Sequence, residues 1–226
     1  MLACDLRPSV GEIKLRRMMR HLVTMMWMCL ACAAQAHPHV FVDVALRFET
    51  NSQGQVEAVE VTWTYDALFS LLVLSDRELD QDADLVLTAA EQEVLLGFDL
   101  EDWPKGFDGA LFMRTPNQNL TLGTPEAVSV GLKDGRIVTT HRRTVPSVNA
   151  KDLVAAPYDP FYYAALTLVS ATGLPKACRA EINRADKAEA DAQVADLGNT
   201  NTELFFEEAR VGIYYADRVR VTCSGS

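Results

Sequence analysis

The sequence predicts an α+β protein that is mostly antiparallel β-sheet built from hairpins with a few packed helices. Three observations favour this class. Residues 40–48 alternate with a period of two, with Val, Leu and Phe at the even positions, as in a half-buried strand. Turn-forming clusters at 51–54 and at Asp134-Gly135 separate pairs of strand-like segments. Helical stretches are short, and the chain has no internal repeat.

The first hairpin joins residues 40–48 to residues 56–66 through the turn at 51–54. A four-residue loop predicts a register that pairs apolar residues on one face and sets His39 across from Asp66 on the other. A shift of the register by two residues would leave every side chain on the same face of the hairpin. The sequence therefore predicts the face of each residue more firmly than its cross-strand partner. The apolar pairs expected are Leu46 with Val59, Val44 with Val61, and Val42 with Trp63.

Apolar runs and capping residues predict the elements that come after this hairpin. Residues 67–74 (ALFSLLVL) predict a short apolar helix or turn packed on the hairpin, followed by an acidic connector at 76–84. A helix is expected over 88–100, because Thr88 with Glu91 three residues later forms a capping-box pattern.

The second half of the chain predicts another hairpin and three further strands. Strands are expected at 107–114, 128–132, 137–145, 177–182 and 218–223, and helices at 186–197 and 203–211. Between them, residues 152–168 are apolar and aromatic. Pro157 and Pro160 favour a turn around Asp159.

The first 36 residues have the pattern of a secretory signal peptide. Arginines precede a short apolar run that ends in Ala34-Gln35-Ala36, and this run is too short to span a bilayer. Translation starting at Met18 or Met19 and lipidation of Cys32 are alternatives. Cleavage after Ala36 leaves residues 37–226 as one periplasmic domain, or as two subdomains divided near 115–125.

The charge and cysteine content of the mature chain limit its function. It would carry 16 Lys and Arg against 29 Asp and Glu, a formal charge of −13, which disfavours nucleic acid as a partner. No motif of a hydrolase elbow, phosphate loop or metalloprotease helix occurs, so no catalytic residue is assigned. Of five cysteines, Cys178 and Cys223 remain, and antiparallel pairing of their strands would join them in a disulfide.

The histidines at the predicted mature terminus suggest a metal site. The amine and imidazole of His37, with the imidazole of His39 or His141, could bind zinc, nickel or copper. Asp66 and Asp43 are candidate further ligands or supports for His39. The competing interpretations are a frayed terminus with solvated histidines, a surface role for His141, and helix capping by Asp66.

Four segments together resemble a known family. They are 37–43 (HPHVFVD), 63–66 (WTYD) with Phe69-Ser70, 158–163 (YDPFYY) and 216–223 (ADRVRVTC). In this order they resemble the domain of unknown function 1007 family, described as an uncharacterised periplasmic component of an ABC-type transport system. The resemblance implies an exported protein that accompanies transport of zinc or of nickel and cobalt.

These observations lead to three functional hypotheses. The first is a periplasmic accessory protein that binds a divalent transition metal, zinc or nickel/cobalt, in support of a membrane metal transporter. The second is a metal-free interaction module that docks a transporter subunit through exposed aromatics, namely Phe41, Phe69, Tyr158 and Tyr162. The third is a copper-brace oxidase, for which the sequence offers no substrate-binding signature. None of them requires stable membrane insertion of the mature chain.

Overall fold

The computed structural model describes residues 38–101, 103, 109–198 and 203–224. Its strands are β1 Val40–Thr50, β2 Gln55–Tyr65, β3 Leu111–Arg114, β4 Asn119–Leu120, β5 Glu126–Lys133, β6 Arg136–Asn149, β7 Val154–Pro157, β8 Ala164–Thr172, β9 Cys178–Asn183 and β10 Arg218–Cys223. Its helices are α1 Ala67–Asp76, α2 Ala89–Leu95, α3 Lys187–Asp196 and α4 Glu203–Ala209, followed by a 3₁₀ helix Val211–Tyr215. The predicted signal peptide and His37 lie outside the described residues.

The strands form two sheets that share one hydrophobic core. Sheet A has the strand order β5-β6-β2-β1-β8, and sheet B has the order β4-β3-β7-β10-β9. The pairing is antiparallel except between β1 and β8. The core contains Val44 and Leu46 from sheet A together with Val219 and Val221 from sheet B. The fold is therefore mostly β and sandwich-like, which agrees with the broad α+β prediction.

The first hairpin has the predicted faces, whereas its register is shifted. Leu46 pairs with Val61 and not with Val59, and a bulge between Glu49 and Thr50 accompanies the shift. The shift is two residues, so the apolar residues at even positions of β1 still face the core. The prediction that His39 lies across from Asp66 is wrong, because Asp66 lies beside Phe41, with which it exchanges two hydrogen bonds.

The predicted capping residues of two helices are confirmed. Asp66 caps α1 by accepting the backbone N–H of Phe69, and Thr88 with Glu91 forms the capping box of α2. Helix α2 ends at Leu95, several residues earlier than predicted. The reason is local, since Leu96 is extended and Gly97 has a φ of +80° that ends a helix readily.

The second hairpin also follows its sequence signal. Strands β5 and β6 are joined by Asp134 and Gly135, whose φ values are +54° and +72°, as a type I′ turn requires. Both strands are longer than predicted. Strand β6 reaches Asn149 and pairs with β2 along almost the full length of β2.

The disulfide prediction is confirmed. Strands β9 and β10 are antiparallel with Cys178 directly opposite Cys223, and an S–S bond joins the two. A disulfide is compatible with an extracytoplasmic location. No helix among the described residues is both long and apolar enough to cross a bilayer.

Candidate functional site

His39 stands exposed immediately before β1. Its backbone N–H donates to the carbonyl of Tyr163 at 2.8 Å. Its imidazole lies against the Tyr163 ring, with the ring centroids 4.7 Å apart. These two contacts hold the start of β1 against the segment that leads into β8. Because His37 is only two residues away, any metal site that His37 and His39 share lies at this end of sheet A.

Asp66 is already bound to two elements of the fold. One carboxylate oxygen accepts the backbone N–H of Phe69 at 2.9 Å, and the other accepts that of Phe41 at 2.9 Å. The backbone carbonyl of Asp66 accepts both the N–H and the hydroxyl of Ser70. Asp66 therefore joins the start of α1 to β1, a structural role that needs no metal.

Asp43 is paired with an arginine on the outer face of sheet A. Arg136 donates to its carboxylate at 2.9 Å. The same guanidinium donates to the backbone carbonyls of Thr64 and Tyr65, at 3.0 Å and 2.6 Å. Arg136 thereby connects the beginning of β6 to β1 and to the end of β2. The pairing with a cation weakens the case for Asp43 as a metal ligand.

His141 lies in the core and not beside His39. It pairs with Val61, whose other neighbour is Leu46, so its side chain shares the inner face of sheet A with these residues. Only 1% of its surface is exposed, and neither ring nitrogen has a hydrogen-bond partner among the described residues. Burial, with a smaller contribution from the charge of Arg143, lowers the pKa of His141 to about 4. The structure therefore does not bring His141 together with His39.

Sequence reasoning missed a polar cluster that joins Tyr65 and Thr139 of sheet A to Asp99. Tyr65 and Thr139 donate their hydroxyls to one carboxylate oxygen of Asp99, at 2.9 Å and 2.6 Å. Burial raises the pKa of Asp99, although these hydrogen bonds oppose the shift. The sequence did indicate that Thr139 and His141 point inward. The apolar Ile137 identifies the inner face of β6, and the period of two places residues 139, 141 and 143 on the same face.

Most of the aromatics proposed for docking are not exposed. Phe41 is 55% exposed, but Tyr162 is buried. Phe69 is half-buried beside the Tyr65 ring, and Tyr158 is half-buried and stacks on Phe112. Three of the four aromatics named for docking therefore contribute mainly to packing.

Three leucines of α1, the helix whose cap Asp66 binds the backbone of Phe41, are among the most exposed apolar side chains of the described residues. Leu68, Leu71 and Leu72 are 68%, 62% and 58% exposed. They share one face of the helix, three and four residues apart, while Ser70 and Leu74 are buried on the other. A helix that is apolar on all sides is usually covered on all sides. This face is therefore the stronger candidate for contact with a partner.

An acidic loop is the only group of three potential ligands that the described residues bring together. Carboxylate oxygens of Asp80, Asp82 and Asp84 lie within 4.8 Å of one another. Asp80 accepts the N–H of Leu85, and Asp84 accepts that of Val86. The sequence lacks the glycine and terminal glutamate of a calcium loop, and the exposure of Asp82 and Asp84 fits the acidic connector expected at 76–84.

Comparison with known families identifies the chain. The model of the family described as protein of unknown function DUF1007 matches residues 22–223, nearly the whole sequence. The chain belongs to this family. The DUF1007 match includes the predicted ligands His37 and His39 and both disulfide cysteines, and its description assigns no activity.

Other comparisons add little. No curated protein matches the sequence significantly. Among solved structures, the chain is similar to acetylcholine-binding protein type 1 of Biomphalaria glabrata, with 10% sequence identity and a TM-score of 0.31. The match covers 85% of this chain and 88% of that one.

Proposed function

We propose that this member of the DUF1007 family is an exported periplasmic accessory protein that binds a divalent transition metal, zinc or nickel/cobalt, and supports a membrane metal transporter. The ligands are the imidazoles of His37 and His39 and the α-amine that signal cleavage leaves on His37. Nitrogen donors of this kind suit zinc, nickel and copper better than calcium or magnesium.

The position of His39 carries this proposal. Its imidazole is exposed, while the backbone N–H bond and the ring contact with Tyr163 hold its position at the start of β1. A positioned imidazole loses less conformational entropy on binding than one in a disordered tail.

The remaining candidate ligands have structural roles, which limits the size of the site. Asp66 caps α1, Asp43 pairs with Arg136, and His141 is in the core. Two imidazoles and an amine leave at least one position open on a tetrahedral ion. An open, exposed site of this kind suits a metal that is taken up and passed on, so the ion is cargo and not a structural cofactor.

Calorimetric titration of the correctly processed protein with zinc, nickel and copper tests the proposal. Replacing both histidines, His37→Ala/His39→Ala, should weaken zinc or nickel binding at least about ten-fold. The matched control is Asp82→Asn/Asp84→Asn, which removes the exposed carboxylate cluster and should leave the affinity unchanged. Equal affinity of the histidine variant and the wild type would overturn the proposal.

The role of the α-amine is tested separately. One additional residue ahead of His37 removes the amine from the chelate ring and keeps both imidazoles. We expect weaker binding if the amine is a ligand. Unchanged affinity would restrict the site to the imidazoles.

A second candidate function is docking of a transporter subunit without metal. The exposed leucines of α1 and the exposed Phe41 favour it. This surface, which we call the α1 leucine face, consists of Leu68, Leu71 and Leu72. The only charged residue of α1 is Asp76 at its last position, four residues after Leu72, so the leucines fit a mainly apolar surface of the partner.

A further inference from the structure

Strand β5 is an open edge of sheet A. Among the described residues its only strand partner is β6, and helix α2 also contacts it. Residues 126–129 of the strand are exposed, and residues 130–132 are only half-buried. The opposite edge strand of the sheet, β8, contacts β7 and β9 of sheet B. An edge strand with unpaired backbone groups can pair with another strand.

The strand has two of the features that protect sheet edges, a bulge and a terminal lysine, and lacks the others. It contains no proline, and its single lysine is at its last position. A bulge between Ala127 and Ser129 leaves Val128 as the extra residue, and Val128 is 49% exposed. The residues after the bulge continue regularly as far as Lys133.

Apolar side chains flank this edge at both ends. Near the hairpin turn, a Cβ added at Gly135 would lie about 4 Å from the Leu85 side chain. At the other end, Gly97 approaches Ala127, next to Leu96, which is 43% exposed. Exposed apolar groups beside an open strand add area that a second sheet could cover.

The residues of β5 complement those of a second copy of the strand that runs antiparallel to it. It begins with Glu126 and ends with Lys133, and both lie on the outer face of the sheet, opposite Arg142 and Arg136 of β6. Neither forms a salt bridge with another described residue. Antiparallel pairing of two copies around Val130 sets each Glu126 against the Lys133 of the other chain.

The inner face agrees with the same register. With Val128 as a bulge, Val130 meets its own copy, and Ala127 meets Leu132, so inward residues face inward residues. On the outer face, Ser129 meets Gly131. Skipping Val128 therefore keeps the two faces matched both in the pairing of β5 with β6 and in the pairing of β5 with its copy.

We propose that the mature chain forms a two-fold symmetric dimer by antiparallel pairing of β5 with its own copy, centred on Val130. The two copies of sheet A then form one continuous sheet. Two Glu126–Lys133 ion pairs set the register, and the contact is isologous. This dimer is independent of the metal site, which lies at the start of β1.

Charge-swap variants test the dimer by sedimentation equilibrium in the presence of a chelator. Each single variant, Glu126→Lys or Lys133→Glu, places like charges at two contacts and should raise the dimer dissociation constant about ten-fold or more. The double variant restores both pairs and should return it to within about three-fold of the wild-type value. Lys176→Glu, an exposed charge reversal outside β5, is the control and should have no effect.

Mixing the two single variants gives the sharpest test. One chain then has lysine at both positions and the other has glutamate at both, so only the mixed dimer has two attractive pairs. We expect heterodimers in the mixture while each variant alone is mostly monomeric. A monomeric wild type at about 100 µM, a control that weakens association as much as Lys133→Glu, or failure of the mixture to associate would overturn the proposal.

Discussion

Trp63 and His141 meet edge to face inside the sandwich, with ring centroids 4.8 Å apart and ring planes at 78°. The two residues belong to neighbouring strands, β2 and β6, and both side chains point to the inner face of sheet A. The indole N–H and both imidazole nitrogens are buried with no hydrogen-bond partner among the described residues. Buried polar groups of this kind are costly, and a charge on the imidazole would be more so.

The first prediction is that acid destabilises the protein through His141. Its pKa is about 4 in the folded state against 6.5 for an ordinary histidine, so the unfolded chain binds the proton more tightly. The free energy of unfolding is therefore highest above pH 6.5, where His141 is neutral in both the folded and the unfolded chain. It falls by at most about 3 kcal/mol as the pH drops towards 4. Denaturant unfolding at pH 7.5 and 4.5 measures this loss.

His141→Leu should reduce that loss, because the apolar side chain has no proton to gain. An identical fall in the free energy of unfolding for wild type and His141→Leu would contradict the assignment.

The second prediction concerns the disulfide between Cys178 and Cys223, which are 45 residues apart. Replacing both cysteines by serine should lower the free energy of unfolding by about 2–4 kcal/mol. Reduction of the wild type should have a similar effect, whereas reductant should not affect the variant. Unfolding of the wild type that is insensitive to complete reduction would show that the bond contributes no stability.

The third prediction separates the structural role of Asp66 from a metal role. Asp66→Ala removes the cap of α1 and the bond to the N–H of Phe41, so it should cost about 1–2 kcal/mol of stability. Asp66→Asn keeps one carbonyl oxygen, and asparagine is also a good cap, so it should cost less. Zinc affinity should be almost unchanged in Asp66→Asn; a large decrease would make Asp66 a ligand.

The fourth prediction concerns the α1 leucine face. Leu68→Glu/Leu72→Glu replaces two exposed side chains and should change the free energy of unfolding by less than about 1 kcal/mol. If the face docks a transporter subunit, the variant should lose recovery of that subunit from solubilised membranes. Leu74→Glu is unsuitable for this test because Leu74 is buried. Equal recovery with wild type and variant would remove the docking role.

Local features of the fold were predictable because neighbouring residues determine them. The period of two in β1 determined its buried face, and the Asp134-Gly135 pair determined the turn of the second hairpin. The caps of α1 and α2 follow from a side chain and an N–H three residues apart. Such interactions depend little on the rest of the chain.

The candidate site was predictable only in part. His39 lies at the exposed start of β1, but the hairpin register moved by two residues and set Asp66 beside Phe41. One residue of this shift arises at the turn, where Thr50 pairs with Val56, and the other at the bulge between Glu49 and Thr50. A bulge arises from the balance of many ladder contacts, so loop length alone did not reveal it. The burial of His141 was implied by the alternation of β6, but the expectation of a lone surface histidine gave that alternation too little weight.

The sequence by itself determined the alternating faces of the strands, the helix caps and the turn of the second hairpin, since each depends on residue types a few positions apart. It also determined the disulfide, since only two cysteines follow the predicted signal peptide and each lies in a strand-like segment. Tertiary structure alone decided that Asp43 meets Arg136, that Asp99 gathers Tyr65 and Thr139, and that β5 is left at an edge. These contacts join residues 34 to 93 positions apart. The order and register of whole strands bring such residues together, and no local pattern encodes that order.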